Sequence, residues 1–252
     1  MNKRKIVILF LIAVIIVNGM YLFNWISKNT SSTKEEKQMK EIIEVKSSKE
    51  SHFKMTRETF SELKGRYPNL VGYIEFSDDF MSEPIGQYKD NEYYLHHFID
   101  DTLDDKGTVY MDYDCNPTNQ NITIYGHNVY FDDNVRFSPL QKLEMQDEFD
   151  KHNKFQIWYG DHVSIYKIAY VAKYNVKADK EFDFKIRNFY TDELFASYKD
   201  WYDAHQLVDS GDIDIENGDH LVTLQTCVRW ETDNRFLIIG KEVAREDYPD
   251  GE

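Results

Sequence analysis

From Ile6 to Ile26 the chain reads IVILFLIAVIIVNGMYLFNWI, 21 residues without a charge. At about 1.5 Å per helical residue, such a run spans roughly the 30 Å of a hydrocarbon core. It has no polar face, which argues against a helix buried inside a protein. It also ends in bulky Tyr21, Leu22, Phe23 and Trp25, where a cleaved leader would show a small-x-small site. The pattern therefore predicts an uncleaved transmembrane signal anchor over 6–26. Residues 1–5, with Lys3, Arg4 and Lys5, are then a cytoplasmic basic N-terminus, and the rest of the chain lies outside the membrane. Residues 27–55 are polar and poor in aromatics, as expected of a spacer or loosely packed helix.

From residue 56 the texture changes. Phe60, Leu63 and Tyr67 recur at three- and four-residue spacing until Pro68, predicting a helix that starts near Thr56. Short runs with strand character follow: LVGYIEF (70–76), TVYMDY (108–113), NITIYG (121–126), FQIWYG (155–160), HVSIYKIAYVAKY (162–174), HLVTLQT (220–226) and RFLIIGKEV (235–243). One clear helix interrupts them, with Thr191 or Asp192 as N-cap and Leu194, Phe195, Tyr198, Trp201 and Tyr202 on its apolar side. No repeat is visible. The organisation is an anchored stem followed by one mainly β domain with accessory helices over 56–252, of a size suited to a single closed sheet.

Composition sharpens the topology. The 252 residues carry 30 Lys+Arg and 45 Asp+Glu, a net charge of −15, yet residues 1–30 hold four bases and no acid. The remaining 222, with 26 bases and 45 acids, carry −19. An aromatic content of 15% with only 11 Gly and 5 Pro excludes a disordered or fibrous chain, and the acidity excludes a basic nucleic-acid binder.

Candidate chemistry gathers at strand ends. Cys227 closes HLVTLQTC, where alternation puts Leu221, Thr223, Gln225 and Cys227 on one face. Arg235 opens the next strand; a guanidinium keeps its proton and donates in a fixed fork, suited to an oxyanion. His127 follows the strand run ITIYG. Of the other histidines, His52, His152, His162, His205 and His220 read as surface residues, and His96 and His97 form a pair. Zinc spacings such as HExxH or paired CxxC do not occur, and the acidic turn at 212–219 lacks helix-loop-helix calcium spacing. Cys115, in MDYDCNP, reads as a packed or half-exposed thiol; a disulfide to Cys227 is the alternative.

These elements resemble the sortases, membrane-anchored cysteine transpeptidases of Gram-positive bacteria, through TLQTC (223–227), Arg235 and YGHN (125–128). The class B branch is favoured by YPNLVGYIEF (67–76), DNEYYLHHF (90–98), GTVYMDYDC (107–115) and the helix near 191–206. The resemblance covers roughly 56–243 and implies a sortase-type eight-stranded β-barrel with an N-terminal helical extension, without metal, nucleotide or organic cofactor. It implies Cys227 as nucleophile, His127 as general acid/base and Arg235 stabilising substrate and oxyanion. The partners implied are secreted proteins with a C-terminal NPxTN-like sorting motif and an amine of a cell-wall precursor, met by a single-pass membrane protein facing the wall. Asn91, Leu95, Leu224, Gln225 and Thr226 are the implied substrate contacts. The family commonly has Ser before its Thr-Cys pair, so Gln225 is a departure with consequences for specificity; Arg229 and Trp230 fall where relatives vary.

Other readings remain. An L,D-transpeptidase is also a cell-wall cysteine enzyme, but the Ser-x-Gly preceding its cysteine is absent. A papain-like protease would place its cysteine ahead of its histidine. A membrane-tethered binding module would share the stem and the β body without any catalysis.

Overall fold

The computed structural model describes residues 3–46 and 53–248; within the first helix it describes the side chains of 11–12, 14–23 and 33–43. The sheet is a closed barrel with strand order β1-β2-β3-β4-β7-β8-β6-β5. Its strands are β1 (Leu70–Phe76), β2 (Ser82–Gly86), β3 (Val109–Met111), β4 (Asn121–Tyr125), β5 (Lys154–Trp158), β6 (His162–Asn175), β7 (Leu221–Val228) and β8 (Glu231–Asp247). β2 pairs with β3 and β4 with β7 in parallel; the other pairs are antiparallel, and β1 with β5 closes the ring. The interior is filled by one face of these strands, including Ile74, Ile85, Val109, Ile122, Ile124, Ile157, Val222, Leu224, Phe236 and Ile238. It is a packed core with no channel.

Two helical layers cover the outside. α4 (Asp192–His205) is capped by Thr191, whose hydroxyl accepts from the Leu194 amide at 3.2 Å. It buries Phe195, Tyr198 and Tyr202 against β6, β7 and β8 residues such as Ala169, Tyr170, Leu221, Leu237 and Ile239. Leu194, expected on this apolar side, is instead exposed at the first turn. α2 (Arg57–Arg66) is capped by Thr56 and packs Phe60 and Leu63 with Leu70, Tyr73 and Trp158. α3 (Gln146–His152) is a short helix after a 3-10 segment, Ser138–Glu144.

The stretch read as a spacer differs from expectation. α1 runs unbroken from Lys3 to Lys46. Its C-terminal part joins the body, with Met39 and Ile43 buried among Phe60, Leu63 and Tyr67. Glu35 accepts from Arg66 at 2.7 Å and from the Tyr67 hydroxyl at 3.1 Å. The reason is visible in the residues: Met39 and Ile43 lie four apart, with Ile42 beside them, and share one face of the polar C-terminal part of α1. Residues 47–52 of the same stretch lie outside the described ones. Among the described residues no helix is long and apolar enough to cross a membrane; the described side chains of the apolar run, 11–12 and 14–23, number fewer than the roughly 20 a span requires.

A buried ion cluster ties the layers together. The Arg136 guanidinium is wholly buried and pairs with Glu83 at 2.9 Å, Asp104 at 3.3 Å and Glu36 of α1 at 3.5 Å, while its Nε donates to the Gly107 carbonyl at 2.6 Å. Arg136→Met would strand Glu83 and Asp104 without their counter-charge, a loss of about 3–5 kcal/mol. Urea unfolding of this variant should show the lowered midpoint; a midpoint equal to the parent's would contradict the cluster's role.

Candidate active site

β4 and β7 run side by side with Tyr125 opposite Gln225, and β7 meets β8 with Gln225 opposite Leu237 and Cys227 opposite Arg235. Two residues beyond Tyr125 stands His127. The chain keeps to β7 over this step: the Gly126 backbone amide donates to the Gln225 carbonyl at 3.1 Å, the Thr226 hydroxyl to the Gly126 carbonyl at 2.7 Å, and the Asn128 side-chain amide to the Cys227 carbonyl at 3.0 Å. Side chains two apart on a strand share a face. His127, just past the end of β4, therefore falls in one row with Cys227 of β7 and Arg235 of β8, on the outside of the barrel. Close backbone approach is needed here, since a Cβ on Gly126 would come within 2.7 Å of the Phe137 ring.

Each side chain of the row has a distinct setting. Cys227 is exposed and free. The His127 ring is half-buried, with Nε2 at 3.0 Å from the Leu95 carbonyl. A carbonyl only accepts, so Nε2 carries the proton and Nδ1 of the neutral ring is left as a base. Burial pushes the imidazole below its ordinary value; the Leu95 carbonyl acts the other way, His96 and Arg136 reinforce the fall and Asp104 opposes it. Such a ring is uncharged at neutral pH and can receive a proton. Arg235 donates through one terminal nitrogen to the carbonyls of Thr232, at 3.0 Å, and Asn234, at 3.1 Å. Both contacts lie within its own turn and leave the rest of the fork to a ligand.

The expected substrate contacts separate into two groups. Gln225 shares the Cys227 face and is half-exposed. Asn91 lines a cavity of about 460 Å³ with Asp112, Tyr125, Arg187, Tyr190 and Leu194. Its amide donates to the Asp112 carboxylate at 2.9 Å and accepts from the Tyr113 amide at 2.9 Å. Leu95 is half-buried against the α1–α2 cluster and meets the site through its carbonyl. Leu224 and Thr226 point the other way. Leu224 is fully buried in the barrel core, and Thr226, 1% exposed, spends its hydroxyl on Gly126. They brace the strand under the thiol and present no side chain to a groove, as the strand's alternation requires.

The row also has neighbours that no local sequence pattern marks. Tyr110 of β3 packs beside Tyr125, with ring centroids 5.2 Å apart, and its phenol is raised by burial and, to a lesser extent, by the neighbouring Asp112 carboxylate. Its position inside a predicted strand gave the only available signal. Cys115 is buried and free, its thiol pushed up by burial, so the alternative of a disulfide with Cys227 is set aside. His97 stacks on Tyr93, with centroids 4.0 Å apart, and bonds its carbonyl at 2.8 Å. Among the described residues no group of three His, Cys, Asp or Glu is arranged to hold a metal ion.

No family model matches the chain. A curated sortase B of Listeria monocytogenes is 28% identical over 201 residues, 75% of this chain and 76% of the relative. A curated sortase B of Staphylococcus aureus is 24% identical over 242 residues, 94% of this chain and 95% of the relative. Among solved structures, a Staphylococcus aureus sortase B–substrate complex superposes with a TM-score of 0.69 at 23% identity, covering 82% of this chain and 94% of that one. Sortase B from Bacillus anthracis in complex with AAEK1 gives 0.68 at 24% identity, covering 85% and 99%. The structural likenesses show the fold, and the curated relatives match this chain over most of its length. The chain is similar to class B sortases in sequence, over three quarters of its length or more, and in its closed eight-stranded barrel, a likeness that supports a sortase-type cysteine transpeptidase.

Proposed function

We propose that the protein cleaves an NPxTN-like sorting motif after its Thr and joins the freed carbonyl to an amine of a cell-wall precursor. The observation that carries this reading is the single row of His127, Cys227 and Arg235. In the first half-reaction, the Cys227 proton passes to His127 Nδ1 and sulfur attacks the Thr carbonyl. The resulting oxyanion is met by the free part of the Arg235 fork. The C–N bond then breaks as His127 returns the proton to the departing amine, leaving a thioacyl group on Cys227. In the second half, an incoming amine attacks this thioester and gives its proton to His127. Sulfur leaves and regains that proton. The thioester retains the free energy of the broken peptide bond, so no ATP is needed.

Two solved relatives were captured with partners of the required kinds: the Staphylococcus aureus complex with a substrate, and a sortase B complexed with triglycine, which offers a primary amine. By analogy this chain takes a sorting peptide along the Asn91–Tyr125–Gln225 side of the row. We also propose that α1 anchors the protein in the membrane, with the barrel facing the wall. The support is the uncharged run 6–26 and the exposure of Leu11, Ile15, Val17, Tyr21 and Phe23 along α1.

In detergent micelles, the full chain should cleave a fluorogenic NPxTN-type peptide and, with triglycine or a diaminopimelate-bearing stem peptide present, yield the ligated product. Cys227→Ala should abolish both; cleavage that survives would remove the thiol mechanism, and cleavage without ligation would make the protein a protease. Nuclear magnetic resonance titration of the His127 ring should give a midpoint below the ordinary value of about 6.5, and a midpoint at or above it would contradict the buried, neutral base. Gln225→Ser should shift motif preference in a peptide library while leaving stability alone. Leu224→Ala should do the reverse, lowering stability by about 2–5 kcal/mol with the preference profile intact.

A further inference from the structure

Regular pairing of β4 ends at Tyr125, and beyond it the backbone is held by the Gly126 amide on the Gln225 carbonyl at 3.1 Å and the Phe137 amide on the His127 carbonyl at 3.0 Å. A set of side chains outside the row adds to this hold. The Asn128 amide donates to the Cys227 carbonyl at 3.0 Å and to the Gln141 side-chain oxygen at 2.7 Å. That same Gln141 oxygen accepts the Arg229 amide at 3.2 Å. Arg229 then grips the two residues after His127: Nε donates to the Asn128 side-chain oxygen at 2.9 Å and one terminal nitrogen to the Val129 carbonyl at 2.7 Å. Its other terminal nitrogen pairs with Asp133. The Val129 amide donates in turn to the Ser138 hydroxyl at 2.7 Å.

We infer that Asn128, Gln141 and Arg229 form a polar clamp that positions His127 against Cys227. The Asn128 amide lies at its centre, with its oxygen toward Arg229 and its nitrogen toward both Cys227 and Gln141, an orientation set by what each partner can donate or accept. Through it, the loop leaving β4, the turn between β7 and β8, and the 3-10 segment Ser138–Glu144 converge within one residue of the imidazole and at the carbonyl of the nucleophile. Arg229 has every nitrogen engaged, so its charge is committed to this loop and the oxyanion is left to Arg235. The three are positioning residues, acting through His127 and Cys227 without touching substrate, and the inference rests on the thiol–imidazole reading above.

Steady-state kinetics of the full chain in micelles, with the same fluorogenic peptide, test it. Misplacing a catalytic base by about 1 Å costs on the order of 10- to 100-fold in rate, so Asn128→Ala and Arg229→Lys should each lower kcat by about that factor, with KM within about twofold. The lysine keeps the charge but cannot grip two acceptors and Asp133 at once. The double variant should be scarcely worse than the poorer single one, because the two act as a unit. Unaltered kinetics, a raised KM at constant kcat, or losses that multiply in the double variant would each overturn the clamp. Should Asn128→Ala not fold, Gln141→Ala removes the shared acceptor and is judged by the same criteria. Cys227→Ala runs alongside: activity there would sink the thiol reading itself, whereas an inactive Cys227→Ala beside unaffected clamp variants sinks the clamp alone.

Discussion

Everything at this site depends on the register of β4 on β7. Five residue pairs, from Asn121 opposite Leu221 to Tyr125 opposite Gln225, bring the end of one strand beside the end of another that follows about a hundred residues later. Ile122 and Ile124 on one side and Val222 and Leu224 on the other are buried in the core, and they make a slip costly. Displacement by a single residue would turn Cys227 toward Phe236 and Ile238 and bring Thr226 to the surface. The core thus decides which way the Cys227 thiol points.

Three arginines near the site show how one side-chain type is put to three uses. Arg136 is saturated with carboxylates in the interior and fastens α1 and the loops to the barrel. Arg229 is spent on the backbone and amide groups of the loop after His127. Arg235 alone of the three keeps most of its fork uncommitted, beside the thiol. A guanidinium is expensive to leave half-paired in a dry interior and inexpensive to leave so at an exposed surface, so the uncommitted fork lies at the surface beside the thiol.

The parts of this arrangement that were legible in the sequence are the local ones. Cys227, Arg235 and His127 each close or open a run with strand character, and Thr56 and Thr191 stand where caps should. The face assignment was available as well: the alternation that joins Gln225 to Cys227 also sends Leu224 and Thr226 inward, and the resemblance to a family obscured it. β2, Ser82–Gly86, has no alternation and carries Pro84, so its neighbours alone make it a strand. Met39, Ile42, Ile43 and Val45 are a few apolar residues in a charged stretch, a signal too sparse to announce packing. The Asn128–Gln141–Arg229 contacts join positions up to 101 residues apart, and no local pattern encodes such a meeting.

The continuity of α1 carries a further consequence. One helix holds both the exposed apolar residues from Leu11 to Phe23 and, at Glu36, Met39 and Ile43, the contacts that fix it to the barrel. A helix turns about 100° and advances about 1.5 Å per residue, so height and compass bearing are coupled. Whatever surface the apolar end is set in, the Cys227 face of the barrel takes a direction fixed by the count of residues between, and lengthening the stem by one would swing that thiol more than a quarter of the way around its axis while lifting it scarcely at all.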